Sequence, residues 1–137
     1  MDTILIEQAA VGYLAAQLNM IIDNDIFRGG MPSEIVDAAA LILDRRAGVE
    51  RRSQDAFSVS LYVRRTDRDE LLGVESLLSS LLPVFGADFD QEGFTVAFHS
   101  IRRDGFGGIT STSFNSQECF LLDQKLEIIV NSITAIV

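Results

Sequence analysis

The sequence predicts an α+β domain: a mainly antiparallel sheet of about four or five strands with two principal helices packed on it. Three stretches carry that expectation. Residues 56–65 alternate strictly, with Phe57, Val59, Leu61 and Val63 to one side and Ser58, Ser60, Tyr62 and Arg64 to the other. Such alternation marks an antiparallel sheet with one dry and one wetter face. The next stretch sets Leu71, Val74, Leu78 and Leu81 at helical spacing, broadened by Leu77 and Leu82, and Pro83 ends it. Residues 94–103 then alternate again, with Phe94, Val96 and Phe98 on one face. Strands and helices in this arrangement bury their apolar sides only by packing the helices on one sheet face.

The remaining elements follow in chain order. Residues 3–22 read as a helix, because Ile4, Val11 and Leu18 fall seven apart with Leu14 and Ile21 on the adjoining stripe. Asp2 or Thr3 suits its N-cap, Glu7 suits the positive end of its dipole, and Asp23-Asn24-Asp25 stops it. Ile26-Phe27-Arg28 fits a short strand before the Gly29-Gly30-Met31-Pro32 break. Residues 35–46 have no clear period and fit helix or strand. A strand over about 38–45 is favoured, since Gly48 and a charged segment follow and a strand must precede the next hairpin. Residues 47–55 then form a polar connection.

Thr66 or Asp67 caps the leucine-striped helix, and Asp67 with Glu70 resembles a capping box. After an irregular stretch and the 94–103 strand, residues 104–118 are rich in Gly, Ser, Thr and Asn. They read as a long exposed loop, with an extra edge strand as the alternative. A last strand over about 119–131 puts Phe120, Leu122, Leu126, Ile128 and Val130 on one face, and the ITAIV tail is apolar enough to want cover. No internal repeat and no domain boundary interrupts residues 1–137, which read as a single domain.

Composition narrows the function classes. A chain of 137 residues, 47% hydrophobic and 23% charged, can bury a core without disulfides or metal. A net charge of −9 argues against a nucleic-acid grip, which needs clustered cations to displace phosphate counterions. Lys125 is the only lysine, so the other positive charges are arginines. Cys119 is the only cysteine, which leaves no intrachain disulfide. The start has no basic, cleavable leader pattern, and no apolar run approaches the ~18 residues of a membrane span. The expectation is a protein made in the cytoplasm, without membrane contact.

No catalytic, cofactor or metal site can be assembled from the residue pattern. His99 is the only histidine, with no nucleophile at a recognisable spacing, and is read as structural or exposed. Asp104-Gly105-Phe106-Gly107-Gly108 lacks the Lys-Ser/Thr ending of a phosphate loop. Asp88, Asp90 and Glu92 lack the further ligands of a calcium loop, and caps and turns explain most other acids. Cys119 beside Glu118 is read as a buried apolar residue, since a reactive thiol wants a basic neighbour. Phe106, flanked by glycines, reads either as a protein-contact anchor or as a ring folded back onto the core. Arg45, Arg46, Arg51, Arg52, Arg64, Arg65, Arg102 and Arg103 come in four pairs. They fit a solvated sheet edge with local ion pairs, or intersubunit salt bridges, where arginine is favoured over lysine. The candidate protein-interaction residues are Arg64, Arg65, Arg68, Arg102, Arg103, Phe106 and Phe114.

The order of these pieces resembles the tail terminator (tail-completion, also called minor capsid) proteins of long-tailed bacteriophages. The matching pieces are the N-terminal helix, the FRGGMP break, AAALILDRRAG, FSVSLYVRRTDRDELLGVESLLSSLLP, FTVAFHSIRRDGFGG and the closing FLLDQKLEIIV. The resemblance spans nearly the whole chain and rests on element order and hydrophobic pattern. It implies a non-enzymatic virion protein at the head–tail junction, without cofactors. Such a protein assembles with itself into a homohexameric ring, caps the tail tube protein and docks head-completion protein, while genomic DNA passes through without sequence-specific binding. Six copies would carry roughly −54 charges, a field that keeps passing DNA from adhering. The alternatives are another head–tail joining or tail-tube subunit, a small acidic dimeric chaperone or adaptor, and, weakest, an enzyme.

Overall fold

A computed structural model describes residues 2–51 and 54–137, and the side chains of residues 2–44 and 54–137. The elements run α1 (Thr3–Leu18), β1 (Ile26–Arg28), β2 (Ala38–Arg51), β3 (Gln54–Arg65), α2 (Arg68–Leu81), β4 (Val84–Phe85), β5 (Asp88–Gln91), β6 (Phe94–Arg103), β7 (Gly108–Phe114) and β8 (Gln117–Ala135). The expected α+β class and the two helices are present. The expectation of four or five strands is corrected to eight strands in one sheet.

The strand order is β1-β2-β3-β8-β6-β4, with β5 also on β6 and β7 also on β8. All pairings are antiparallel except β1 with β2. β8 is the spine. One of its flanks pairs with β3, and the other is shared end to end by β6 and β7. Asp104 N donates to Lys125 O at 2.9 Å, so β6 and β7 are nearly one strand interrupted by a bulge at 104–107.

One face of the sheet carries both helices. Leu41, Phe57, Val59, Leu61, Val63, Val96, Phe98, Ile101, Leu122, Leu126, Ile128 and Val130 form a core with the buried sides of α1 and α2. Alternation then sends Ser60, Tyr62, Arg64, Lys125 and Glu127 to the helix-free face. α1 is bedded deeply: Leu5, Ile6, Ala9, Ala10, Val11, Leu14, Ala15 and Leu18 are buried. At Gly12 a Cβ would lie 2.4 Å from Phe89 Cε1, so only glycine lets α1 sit this close to β5.

Several boundaries differ from expectation for identifiable reasons. α1 ends at Leu18, ahead of the Asp23-Asn24-Asp25 cluster, because Asn19 turns left-handed (φ 56°) and caps it. Ile21 therefore lies beyond the helix and is exposed, and Ile4 in the first turn is exposed as well instead of on the buried stripe. β2 runs on to Arg51 and β3 begins at Gln54, so most of the expected 47–55 connection is paired strand. Register shifts after Leu43, Arg46 and Val49 let polar residues continue that ladder. The stretch after Pro83 holds β4 and β5, both paired to β6. The expected 104–118 loop is mostly β7, turned into β8 through Asn115 (φ 50°) and Ser116 (φ 65°), a pair of left-handed residues that suits a tight hairpin. Asp67 caps α2 through Asp69 N at 2.9 Å, while Glu70 turns to Arg65 and closes no capping box. His99 falls at a β6 register shift, which brings Ile101 into the core beside Phe98 instead of opposite it.

Candidate functional site

The candidate arginines divide into those that hold the fold and those that face solvent. Arg64, on β3, donates from Nε to Val36 O (2.9 Å) and from Nη2 to Pro32 O (3.0 Å) and Ile35 O (2.6 Å). Its guanidinium lies 4.2 Å from the centroid of the Phe114 ring. Arg64 and Phe114 thus clamp the 32–36 loop and the tip of the β7–β8 hairpin over the helix-free face. Arg65 donates to Arg64 O at 2.8 Å and sits 3.4 Å from Glu70. The expectation that Arg64 and Arg65 stay free for a partner is therefore corrected: both are engaged within the chain. Arg68, at the start of α2, is exposed and makes no hydrogen bond or ion pair among the described residues.

Arg102 and Arg103 leave β6 in opposite directions. Arg102 meets its register partner Glu127 on β8, Nε to Oε1 at 2.7 Å, in an exposed pair worth roughly 0.2–1 kcal/mol. Arg103 turns under α2, with only 14% of its side chain exposed. It donates to Gln124 Oε1 (2.8 Å), to Ser79 Oγ (2.8 Å) and to Glu75 Oε1. Gln124, fully buried, donates in turn to Gly105 O (3.1 Å) and Lys125 O (2.7 Å). A Cβ at Gly107 would meet Gln124 Oε1 and Leu122 Cδ1 at 2.9 Å and Glu75 Oε2 at 3.2 Å. Gly107 thus lets the 104–107 bulge dock on this network. Phe106 at its tip is 95% exposed, so the ring does not fold back onto the core.

One polar cluster was invisible in the sequence. On the helix-free face Ser60 Oγ donates to Asp44 Oδ2 at 2.5 Å and accepts from Lys125 Nζ. Lys125 lies 3.8 Å from Asp44 and 3.9 Å from Asp123. Burial pulls its ammonium down, but the carboxylates of Asp123 and Asp44 and the Tyr62 hydroxyl outweigh that and raise it above the ordinary 10.5. A lysine held charged is a poor base for a serine that is itself fully buried, so this trio braces β2, β3 and β8. A folded-state value above the unfolded one stabilises below 10.5, and the stabilisation is lost as pH rises through the folded value. Urea unfolding across this alkaline range is expected to show a falling midpoint for the natural chain. The fall is expected to be shallower for Lys125→Met.

Other candidates fall into ordinary structural roles. Cys119 is buried against solvent. Asp90 accepts from Thr95 Oγ1 at 2.7 Å across the β5–β6 pair, and no cluster of three metal-ligating side chains occurs among the described residues. No helix among them is long and apolar enough to cross a membrane. An open cavity of about 400 Å³ lies on the helix-free face between Met31, Ile42, Tyr62, Arg64, Thr112 and Leu121, with no nucleophile–base pair in its wall.

What stands out is the state of the sheet edges. β7, Gly108–Phe114, pairs only with β8, and its other edge is uncovered. Its sequence GITSTSF contains no charge and no proline. Natural edges are blunted by such residues, by bulges or by a covering element. A second open edge is that of β2 beyond β1, which covers only Ala39, Ala40 and Leu41. There Glu7 accepts from Leu43 N at 2.7 Å and pairs with Arg28 at 3.0 Å, closing the first free position. The chain matches no protein-family model, and no curated protein is similar to it in sequence.

Proposed function

We propose that this chain is a ring-forming structural subunit of a long-tailed phage, which caps the tail tube, ends its polymerisation and docks the head-completion protein. The observation that carries the reading is the undefended edge of β7, free of charge and proline and paired to no described strand but β8. Such an edge is a template for another strand, which suits a subunit completed by its neighbours. The charged groups support the same reading. Arg64, Arg103 and Lys125 are spent on holding loops, helix and strands together instead of converging on a reacting centre. Arg68 and Phe106 remain outward, as contact residues for tube or head protein.

A tube-capping experiment tests the proposal. Tail tube protein polymerised with this chain is expected to yield tubes of limited length carrying it at one end, and the chain alone a mass near six subunits. Tubes that grow unchecked, with no bound copies, would sink the reading. The dimeric adaptor is kept as a second reading because GITSTSF is nearly symmetric about Ser111. Two copies of β7 can pair antiparallel with Thr110 opposite Thr112 and no charges opposed. A strict two-subunit mass that ignores tube protein favours it.

A further inference from the structure

We infer that the ring is built by strand addition between two different edges: β7 of one copy pairs with residues 44–51 of β2 in the next. This rests on the ring reading and names its interface. Three observations converge on that partner. The first is availability. β1 covers β2 through Leu41 and Glu7 occupies the Leu43 amide, and from residue 44 to the end of β2 no strand but β3 pairs with it among the described residues. That stretch is about as long as the seven residues of β7.

The second is charge. Residues 44–51 carry Arg45, Arg46 and Arg51 against Asp44 and Glu50, a net positive stretch in a chain of net charge −9. The arm that presents β7 carries Asp104, Glu118 and Asp123 and no basic residue from 104 to 124. Opposite signs steer the two edges together, whereas two β7 arms carry the same sign and gain no such steering.

The third is shape. Three register shifts interrupt β2 against β3 along this stretch, and bulges of that kind increase twist. A twisted edge rotates each added copy relative to the last. A contact between unlike surfaces then closes into a ring when the rotation divides a full turn, and otherwise runs on as a filament.

The experiment uses two blocked variants of the full chain. Thr110→Lys/Thr112→Lys places cations on β7, whose Thr110 and Thr112 side chains are exposed, and Arg45→Glu/Arg46→Glu reverses the β2 edge. Each is expected to lose the assembled species in sedimentation while keeping the circular dichroism and unfolding midpoint of the natural chain. An equimolar mixture is expected to recover assembly with the two chains alternating, since natural edges meet at one junction and lysine meets glutamate at the next. Joining all four substitutions in one chain is expected to restore assembly, with lysine now facing glutamate.

If the natural chain forms rings and either variant still does so, the edge pairing is overturned while the ring reading stands. If the β2 variant alone forms dimers, the contact joins two β7 edges and the inference fails. If the natural chain stays monomeric yet still caps tubes, this interface is overturned and the capping function survives. Failure of capping with intact rings removes the tail reading and leaves the interface.

Discussion

Replacing Arg103 with alanine is expected to cost about 3 kcal/mol of folding stability, near the low end for breaking a largely buried ion pair. The side chain serves three acceptors at once. Without it Glu75 keeps a carboxylate under α2 with no cation, and Gln124 Oε1 loses a donor in the fully buried core. Glu75 Oε2 already lacks a hydrogen-bond partner among the described residues, so nothing nearby takes up the slack. Lysine is not a substitute. A single ammonium cannot span Gln124, Ser79 and Glu75 as the planar fork does, so Arg103→Lys should recover only part of the loss. Urea denaturation read as a midpoint shift at unchanged slope measures this. Arg103→Met with Glu75→Met together should be less damaging than the sum of the singles, because removing both charges leaves none stranded. A stability change below about 0.5 kcal/mol, within the ordinary range for surface substitutions, would show that Arg103 acts at the surface.

That expectation shows where sequence reading stops. Arg102 and Arg103 look alike in the chain, as one of four arginine pairs, and period-2 alternation says only that they point oppositely. Which one meets a carboxylate in the open and which is drawn beneath a helix depends on α2 lying over β6 and β8, a long-range fact. The same holds for Lys125, whose partners Asp44 and Ser60 come from two other strands. Register fixes such clusters, and register is not written in any local stretch.

Elements were legible where burial imposed a period. β3, β6 and α2 each have one face in the core, and their apolar residues repeat accordingly. β7 was ambiguous for the opposite reason. Most of its residues are exposed on both faces, so no apolar rhythm distinguishes it from a loop, and serines and threonines look like turn residues. The outer half of β2 lost its signal to bulges and charge. Both lie at open edges of the sheet. The parts hardest to read from the sequence are therefore those on which the assembly proposal depends, since a strand awaiting a neighbour has no core to pattern it.

Phe57→Ala is expected to have the largest effect of any single substitution, a loss of about 3–5 kcal/mol. Phe57 heads the alternating run of β3 and is fully buried, among the largest such side chains in the chain. It stands between Arg46 of β2 and Ile128 of β8 in the sheet register, on a central strand that cannot shift to close the gap without breaking two ladders. Removing the ring forfeits its transfer free energy and leaves a cavity the neighbours fill only in part. A domain of this size has about 5–15 kcal/mol to lose, so the variant sits near the edge of folding. Phe57→Leu keeps most of the volume and should cost under about 1.5 kcal/mol. Equilibrium unfolding of the two variants separates the cavity from the chemistry. Equal losses would mean that the site demands an aromatic ring; a loss for alanine under about 1 kcal/mol would mean that the core here collapses freely around the gap. Because Phe57 faces the helices and the proposed junctions lie at the sheet edges, Phe57→Leu should leave ring mass unchanged. Thr110→Lys/Thr112→Lys should do the reverse, abolishing the ring while sparing the unfolding midpoint.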